Sequence, residues 1–358
     1  MPELELITAD QIDGAEFTEI IDVRSPSEFA DDHLPGAINL PVLDDVERDR
    51  VGTIYKQESP FLARRIGAAI IARRAADYLE GPLAERPRDF HPLVYCWRGG
   101  LRSNSLATIL AAVGWRTRLL EGGYKAYRKQ LIETFAQYLS TQPLKFVIVG
   151  GLTGAGKTCI LQKMQALGHQ IIDLEGLAEH RGSALGESII TQQPSQKRFE
   201  NLLWQGLRQL DPARPIYLES ESSRIGSIQI PAPFWKHMGT APSIELQTPR
   251  EQRAQFLLGD YEHFVSNPEL LREKLQKLNH LHGHAQLEAW DAQISAGDWR
   301  EFTESILEIH YDPAYTRSRQ KLFRPQVATI KSSIISDAGV EAAAKAVAEA
   351  GNSIQSWE

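Results

Sequence analysis

Residues 144–158 read LKFVIVGGLTGAGKT, and this stretch decides the fold of the second half of the chain. The apolar run from Leu144 to Val149 predicts a buried β-strand. Gly151 to Thr158 fits the pattern G-x-x-x-x-G-K-[ST] of a phosphate-binding loop, and a helix is predicted from about Lys157 to Leu167. A strand, this loop and a helix in that order form an α/β unit that holds phosphate oxygens on backbone N–H groups.

The phosphate loop predicts a set of contacts to a phosphate or diphosphate. These contacts are Gly151, Thr153, Gly154, Ala155, Gly156, Lys157 and Thr158. Lys157 is expected to reach across the phosphates, and the Thr158 hydroxyl is compatible with Mg²⁺. Residues after later strands are further candidates for anion or metal contacts, namely Asp173, Arg181, Glu219 and Arg224, with Glu175 and Glu221 close by. The motif predicts phosphate binding and does not distinguish a nucleotide from another diphosphate.

A second anion-binding loop lies earlier in the chain, where residues 96–103 read CWRGGLRS. Cys96 follows a predicted strand, and loop N–H groups together with Arg98 and Arg102 would stabilise its thiolate and bind an anion. The other members of the loop are Trp97, Gly99, Gly100, Leu101 and Ser103. Since Cys96 and Cys159 are the only cysteines, a disulfide framework is excluded, and Cys96 is interpreted as a chemical residue.

The order of apolar runs predicts two α/β domains. Residues 1–136 alternate short strands with helices and predict a parallel-sheet domain with Cys96 at a strand end, and residues 138–143 are interpreted as a linker. Residues 144–310 predict a phosphate-loop α/β domain with a helical extension. Residues 311–358 are interpreted as a basic and aromatic segment followed by a C-terminal helix.

Charge and hydropathy narrow the class of protein. The 358 residues are 42% hydrophobic and 24% charged, as in ordinary globular proteins, and the net charge of −7 argues against a general polyanion binder. No apolar run long enough for a membrane span and no signal-peptide core is found, so a cytoplasmic protein without membrane contact is expected. A local basic patch in residues 312–331 suits RNA; its candidate tRNA contacts are Tyr315, Arg317, Arg319, Lys321 and Arg324.

Three short motifs resemble the amino-terminal signature of rhodanese domains. They are Asp22-Val23-Arg24, Glu28-Phe29 and His33-Leu34-Pro35-Gly36-Ala37, and the resemblance covers roughly residues 7–127. It implies that Cys96 lies where such a domain keeps its sulfur-carrying cysteine, and that Asp22 is a structural and electrostatic partner of the loop. The spacing departs from the family, because C-x5-R-[ST] is also the phosphate loop of cysteine phosphatases.

A rhodanese domain followed by a phosphate-loop domain is similar to the bacterial tRNA 2-selenouridine synthase family. The similarity extends over nearly the whole chain and rests on the stretches CWRGGLRS, GGLTGAGKT, DLEGLAEHRGS, QPSQKRFEN, ESESSRIG and HYDPAYTRS, in that order. It implies a transferase that exchanges sulfur for selenium at position 2 of the wobble uridine, with S-geranyl-2-thiouridine as an intermediate.

The resemblance also implies substrates and roles. Selenophosphate and geranyl diphosphate are expected as substrates, tRNA carrying 2-thiouridine as the partner, and a selenophosphate-producing enzyme as a further partner. No tightly bound cofactor is expected, and Mg²⁺ is compatible. Cys96 would carry selenium as a perselenide while Arg98 and Arg102 hold the phosphate, and the phosphate loop would bind the diphosphate.

Two other functions fit the same motifs. The first is a cysteine phosphatase joined to a phosphate-loop kinase, in which Cys96 is the nucleophile and Asp44 or Asp45 supplies the acid. The second is an inert rhodanese module that docks a partner and is attached to a regulatory NTPase. Hydrolysis of an aryl phosphate favours the first, and an unperturbed thiol at Cys96 favours the second.

Overall fold

The structure is a computed structural model that describes residues 4–181, 192–276, 278–320 and 326–354, apart from the side chains of 318–320. The chain divides into two compact units, Met1–Tyr138 and Leu139–Glu358. Each unit is built on its own parallel β-sheet, so the predicted α/β class is confirmed.

The sheet of the first unit is parallel and has the strand order β1-β5-β4-β2-β3. Its strands are β1 Glu5–Ile7, β2 Glu19–Asp22, β3 Ala37–Asn39, β4 Pro92–Tyr95 and β5 Arg118–Leu120. Its helices are a 3₁₀ helix Ala9–Gly14, α1 Pro26–Asp31, α2 Asp45–Gln57, α3 Pro60–Glu80, α4 Leu101–Val113 and α5 Gly123–Thr141. β4 is central and fully buried, because helices cover a parallel sheet on both faces, and it carries Cys96 at its carboxyl end.

The sheet of the second unit is also parallel, with the order β12-β11-β6-β8-β7. Its strands are β6 Lys145–Gly151, β7 Gln170–Ile172, β8 Pro215–Glu219, β11 Ser243–Gln247 and β12 Gln326–Lys331, and β9 Arg224–Ile225 with β10 Ile228–Gln229 forms a separate antiparallel ribbon. β6 lies at the centre and feeds the phosphate loop, so the loop opens at the carboxyl edge of the sheet, where parallel α/β sheets bind ligands.

Helices surround this second sheet. They are α6 Lys157–Ala166, α7 Leu174–Leu177, α8 Gln196–Leu207, α9 Ala232–Thr240, α10 Arg250–Asp260, α11 Glu262–Ser266, α12 Pro268–Gln276, α13 His284–Ala296, α14 Trp299–Ile306, α15 Asp312–Gln320 and α16 Asp337–Asn352, with a π-helical turn Leu307–Tyr311 between α14 and α15. α6 and α16 pack on the sheet in one apolar core. A second core, centred on the fully buried Trp290, joins α11 to α14.

Two segments differ from their sequence interpretation. Residues 138–143 were predicted as a linker, but α5 continues to Thr141, because Leu131, Phe135 and Leu139 repeat every four residues and are buried. Residues 311–358 were interpreted as a segment separate from the sheet domain. In the structure they belong to the second unit, since β12 pairs with β11 and α16 packs on α6.

In the residues that the structure describes, no helix has the length and apolar character needed to cross a bilayer.

Candidate functional site

Cys96 lies at the end of β4, and the loop after it turns its polar groups toward the sulfur. The Gly100 N–H donates to Cys96 Sγ at 3.3 Å, and the Ser103 hydroxyl lies 3.2 Å from the same sulfur. One loop N–H and one hydroxyl therefore lie within hydrogen-bond distance of the sulfur. Cys96 itself is only 3% exposed.

The turn Gly122–Gly123, at the start of α5, packs against the backbone of this loop. Tyr124 N–H donates to the Cys96 carbonyl oxygen at 2.8 Å, and Lys125 N–H donates to the Trp97 carbonyl oxygen at 3.0 Å. Gly123 has φ +58°, and a Cβ there would overlap the Cys96 carbonyl oxygen and lie 2.6 Å from Gly99 N. The amino end of α5 therefore fixes the backbone of the cysteine loop, and it requires glycine to do so.

The two arginines of the loop have different environments. Arg98 is exposed. Arg102 makes a bidentate ion pair with Glu28, at 2.5 Å (Nη1–Oε2) and 3.3 Å (Nη2–Oε1). Burial opposes ionisation of Glu28, but the hydrogen bonds and charge of Arg102 outweigh it and hold the pKa of that carboxyl below its ordinary value. An anion at the loop therefore competes with Glu28 for Arg102.

Asp22 takes part in a buried network next to this loop. Its carboxylate pairs with Arg24 at 2.6 Å, and both side chains are buried. The Arg24 guanidinium lies 4.1 Å from the ring centroid of Tyr124, and that ring stacks on Trp97 at 5.4 Å. The network positions the loop through Trp97, which agrees with the structural part of the role expected for Asp22.

The carboxylates that a phosphatase mechanism requires are engaged in the fold. Asp44 caps α2 by accepting the Glu47 N–H at 2.8 Å. Asp45 accepts hydrogen bonds from the hydroxyl and N–H of Ser27, and those from Ser27 and Ser25 hold its pKa below the ordinary value. A general acid needs a proton to donate at neutral pH, so Asp45 does not fit that role, and the Asp44 carboxylate is occupied as the cap of α2.

In the second unit, the phosphate loop borders a cavity of about 580 Å³. The loop residues Thr153 to Thr158 form one wall. The remaining walls come from α6 and from later parts of the chain, and they are lined by Cys159, Gln162, Glu175, Arg181, Ser220, Glu221, Ser222, Phe256, Leu257, Asp260, Tyr261, His310, Tyr311, Ala314 and Tyr315. The cavity is large enough for a small organic diphosphate.

Lys157 lies among carboxylates in this cavity. Its Nζ donates to the Gly151 carbonyl oxygen at 3.3 Å, and although burial opposes its charge, Glu175 and Glu221 raise its pKa. Burial and the charge of Glu175 raise the pKa of Glu221 to about 8, even though Lys157 acts in the opposite direction. Burial and neighbouring carboxylates also raise the pKa of Glu219. These shifts favour the protonated forms of Glu219 and Glu221, and Lys157 remains a cation that can bind a phosphate.

Two side chains from later in the chain hold the backbone of the phosphate loop. Arg253 donates to the Thr153 carbonyl oxygen at 3.0 Å and is itself fixed by a bidentate pair with Asp312, at 2.9 and 2.8 Å. The Tyr315 hydroxyl accepts the Gly151 N–H at 2.8 Å. The shape of the loop thus depends on α10 and α15 as well as on its own glycines.

A small apolar pocket of about 60 Å³ adjoins the cavity. The two share Thr153, Leu257, Tyr261 and Tyr311. The rest of the pocket is lined by Leu258, Phe264, Val265, Leu271, Trp299, Phe302, Thr303, Ile306 and Leu307. The phosphate-loop cavity and the apolar pocket therefore share a wall, which places apolar side chains next to the phosphate-binding residues and suits a ligand with a charged head and a hydrocarbon tail.

Comparison with known proteins relates both sites to one family. Residues 6–130 match the model of the rhodanese-like domain, and residues 144–268 match the model of the tRNA 2-selenouridine synthase AAA domain. A protein of Pseudomonas fluorescens named tRNA 2-selenouridine synthase is 34% identical over 330 residues, which cover 84% of this chain and 88% of that protein. The chain belongs to the tRNA 2-selenouridine synthase family.

Other members of the family show similar identity. The Cupriavidus necator protein of that name is 35% identical over 334 residues, covering 84% of this chain and 88% of its own. The Sulfurovum protein is 38% identical over 251 residues, covering 68% of this chain. The chain spans 66% of the length of the Sulfurovum protein, just under two thirds of it.

The residues of this family member that were predicted to contact an anion or a metal ion do not all lie at the cavity. Glu219 lies at the end of β8, and Arg181 lines the cavity, where it pairs with Asp260 at 2.7 Å. Asp173 instead caps α7 by accepting the Gly176 N–H at 2.7 Å. Arg224 is exposed on the β9–β10 ribbon and is absent from the described cavity lining.

The predicted tRNA contacts are also divided. Arg317 is exposed on α15, and Tyr315 lies in the phosphate-loop cavity. Lys321 and Arg324 lie outside the described residues, as does the side chain of Arg319. Tyr315 was grouped with the basic residues because it lies among them in sequence, but the helical turn of α15 directs it to the loop.

Several residues of the site were not predicted. Asp260, Tyr261, His310 and Tyr311 line the cavity, and Arg253 holds the loop backbone. They come from α10, its C-cap and the π-helical turn, far in sequence from the phosphate loop. The only sequence signal for two of them was the family-like stretch HYDPAYTRS, which begins at His310. No local pattern relates the others to a phosphate site.

Proposed function

We propose that this chain is a transferase that replaces the sulfur of 2-thiouridine in tRNA with selenium, by way of S-geranyl-2-thiouridine. The observation that carries the proposal is the phosphate loop, whose cavity shares a wall with an apolar pocket, in a chain that also bears the Cys96 loop. We assign the reaction to the cytoplasm, where tRNA is available, and expect a separate enzyme to supply selenophosphate.

In the first step, the phosphate loop binds the diphosphate of geranyl diphosphate while the geranyl chain lies against apolar side chains of the cavity wall, such as Phe256 and Leu257. The thiocarbonyl sulfur attacks the terminal carbon of the geranyl group, and the carbon–oxygen bond breaks with its electrons going to the diphosphate. Lys157 and the loop N–H groups stabilise the charge of the leaving group. The sulfur thereby becomes a neutral thioether, which leaves carbon more easily than a thiocarbonyl sulfur does.

The residues of the phosphate loop also fit a Mg²⁺ ion. Thr158 Oγ1 lies 3.2 Å from Glu175 Oε2, and the buried Glu219 Oε1 has no hydrogen-bond partner in the described part of the chain. Thr158 and Glu175 would hold the ion, and Mg²⁺ usually takes only one or two protein ligands beside water and phosphate oxygens. When bound, the ion would neutralise charge on the diphosphate.

The second step takes place at the Cys96 loop, and its electron balance constrains the role of the cysteine. A thiolate and the selenium of selenophosphate are both fully reduced, so the perselenide suggested by the family resemblance would require a two-electron oxidant. In a balanced route, the selenium of selenophosphate attacks C2 and expels the geranyl thiolate. The Cys96 thiolate then attacks phosphorus, the selenium–phosphorus bond breaks, and water later releases phosphate from the cysteine. The C-x5-R-S spacing suits a phosphoryl group.

The decisive experiment is mass spectrometry of nucleosides from 2-thiouridine tRNA incubated with the full chain and geranyl diphosphate, followed by selenophosphate. The wild type should give a geranylated nucleoside and then 2-selenouridine. Cys96→Ala should stop at the geranylated nucleoside, and Lys157→Ala should impair its formation.

Lys163→Ala is the matched control, since Lys163 lies on the same helix as Lys157 but pairs with Asp337 at 2.7 Å instead of facing the cavity. It should behave like the wild type, because surface ion pairs contribute little. Absence of both products from the wild type, with phosphate released from ATP or an aryl phosphate instead, would replace this proposal with the phosphatase–kinase function.

A further inference from the structure

We propose that His310 is the general base that removes the N3 proton of 2-thiouridine during S-geranylation, with His282 as its positioning residue. The inference rests on the proposed function and adds a catalytic residue to it. Alkylation of the thiocarbonyl sulfur gives a neutral base only if the N3–H bond breaks and its electrons form the C2=N3 double bond. The proton must therefore pass to an acceptor in the cavity, and the structure offers a specific one.

The π-helical turn Leu307–Tyr311 brings His310 to the cavity wall. Such turns insert an extra residue into a helix and are frequent at functional sites. Because of the extra residue, side chains after the turn face a different direction from the one that a regular α-helix would give them. The turn allows α14 to bury Phe302 and Ile306 in the apolar core while His310 faces the cavity of the phosphate loop.

His282 orients the imidazole of His310. Nδ1 of His310 lies 2.9 Å from Nε2 of His282, and the two rings are nearly perpendicular at 76°. His282 in turn packs edge-on against Trp290, whose own N–H donates to Ser305. If Nδ1 of His310 donates to His282, then Nε2 of His310 carries the free lone pair of the neutral imidazole and is the proton acceptor.

The charges around His310 favour the neutral, proton-accepting form. Burial, the neighbouring His282 and the Arg317 cation all lower the pKa of His310 below its ordinary value. His310 is therefore unprotonated at neutral pH and able to take a proton, and His282 can share the charge that results.

The other titratable groups of the cavity are poorer acceptors. Glu175 accepts the Thr158 hydroxyl, and Glu221 keeps a proton because its pKa is about 8. Asp260 is paired with Arg181 at 2.7 Å. Among the described cavity residues, His310 combines a neutral basic nitrogen with a fixed orientation.

The test is the single-turnover rate of S-geranylation by the full chain on 2-thiouridine tRNA. His310→Asn keeps a side-chain donor for His282 but lacks the basic nitrogen, and it should slow the reaction by about 100-fold or more, the usual contribution of a general base. Binding of geranyl diphosphate, measured by calorimetry, should stay within about 2-fold and so report an intact cavity. Added imidazole should restore part of the rate to His310→Ala.

His282 needs a separate readout, because it acts through His310. His282→Gln offers a polar group to His310 and should retain most of the geranylation rate, whereas His282→Phe keeps an aromatic ring without the hydrogen bond and should be slower. A normal rate in both His310 variants would overturn the inference while leaving the proposed function intact. A wild type that forms no geranylated nucleoside at all would overturn both.

Discussion

At the scale of single residues, the phosphate loop is held by side chains that lie far from it in sequence and that each contact its backbone through a hydrogen bond. Tyr315 is an example: its hydroxyl accepts the Gly151 N–H at 2.8 Å, and burial raises its pKa, so that it stays protonated. Its place in a basic, aromatic stretch suggested base stacking. The structure instead brings it to the loop backbone, where the hydroxyl and not the ring carries the interaction.

Tyr315→Phe separates these two roles, because it keeps the ring and removes the hydroxyl. The Gly151 N–H loses its acceptor, which should cost about 1 kcal/mol of unfolding free energy and weaken geranyl diphosphate binding. Affinity for tRNA should be unchanged. Calorimetry with geranyl diphosphate and filter binding with tRNA provide the two measurements, and a loss of tRNA affinity alone would contradict the loop role.

Glu221 gives the free energy of unfolding a pH dependence of definite sign. Its pKa is about 8 in the folded protein, above the ordinary value of 4.5, because of burial and the charge of Glu175. Between these two values the folded state holds a proton that the unfolded state releases. The free energy of unfolding therefore falls as the pH rises from 4.5 to about 8. Glu221→Gln should flatten the fall, as measured by urea unfolding at about pH 5 and about pH 8.

The control for this prediction is Glu341→Gln, which changes an exposed glutamate on α16 that pairs with Lys345. It should leave the pH dependence nearly as in the wild type. An identical slope in the wild type and in Glu221→Gln would mean that Glu221 is ionised in the folded protein at neutral pH.

At the scale of elements, the cysteine loop is fixed by the turn that begins α5. Gly123→Ala would place a methyl group on the Cys96 carbonyl oxygen at a backbone angle of φ +58°. Gly36→Ala is the matched control, with φ +74° and open space around the added carbon. The control should lose about 1–2 kcal/mol from backbone strain alone, and Gly123→Ala should lose more and also lose selenation. Equal losses of unfolding free energy would contradict the steric argument.

The strands and loops could be predicted because their signals are local. The apolar run before Gly151 and the run before Cys96 each mark a buried strand that leads into a loop. β1 has three residues and β12 alternates without a strong apolar face, so neither is marked in the sequence. The π-helical turn carries no sequence pattern, and the approach of His310 and Arg253 to the phosphate loop results from tertiary packing. The phosphate loop was therefore predictable, and the parts of its site that come from α10, the π-helical turn and α15 were not.

At the scale of the whole molecule, a net charge of −7 requires any RNA site to be local. Arg317 is exposed on α15, next to the cavity residue Tyr315, so a basic surface here would bring tRNA toward the phosphate loop. That Arg319 and Arg324 contact tRNA remains a prediction from the sequence.

Replacing Arg317, Arg319 and Arg324 together by alanine should weaken tRNA binding and flatten its dependence on salt, since each lost phosphate contact lowers the slope by about one. The control changes three exposed arginines of α3, Arg64, Arg65 and Arg73, and keeps the change in net charge the same. Titrations at several salt concentrations provide the slopes. Full affinity in the first variant, with a loss in the second, would move the RNA site to α3.

The strand order of the second unit has a consequence for biosynthesis. β12 is translated after every other strand that the structure describes, yet it pairs with β11, and α16 packs on α6 beside the phosphate loop. The glycine-rich loop is therefore translated long before the elements that brace it, and the nascent domain stays unfinished until β12 and α16 have been made. A frameshift or a premature stop before β12 would thus yield a polypeptide that contains the entire phosphate loop but cannot complete the sheet around it.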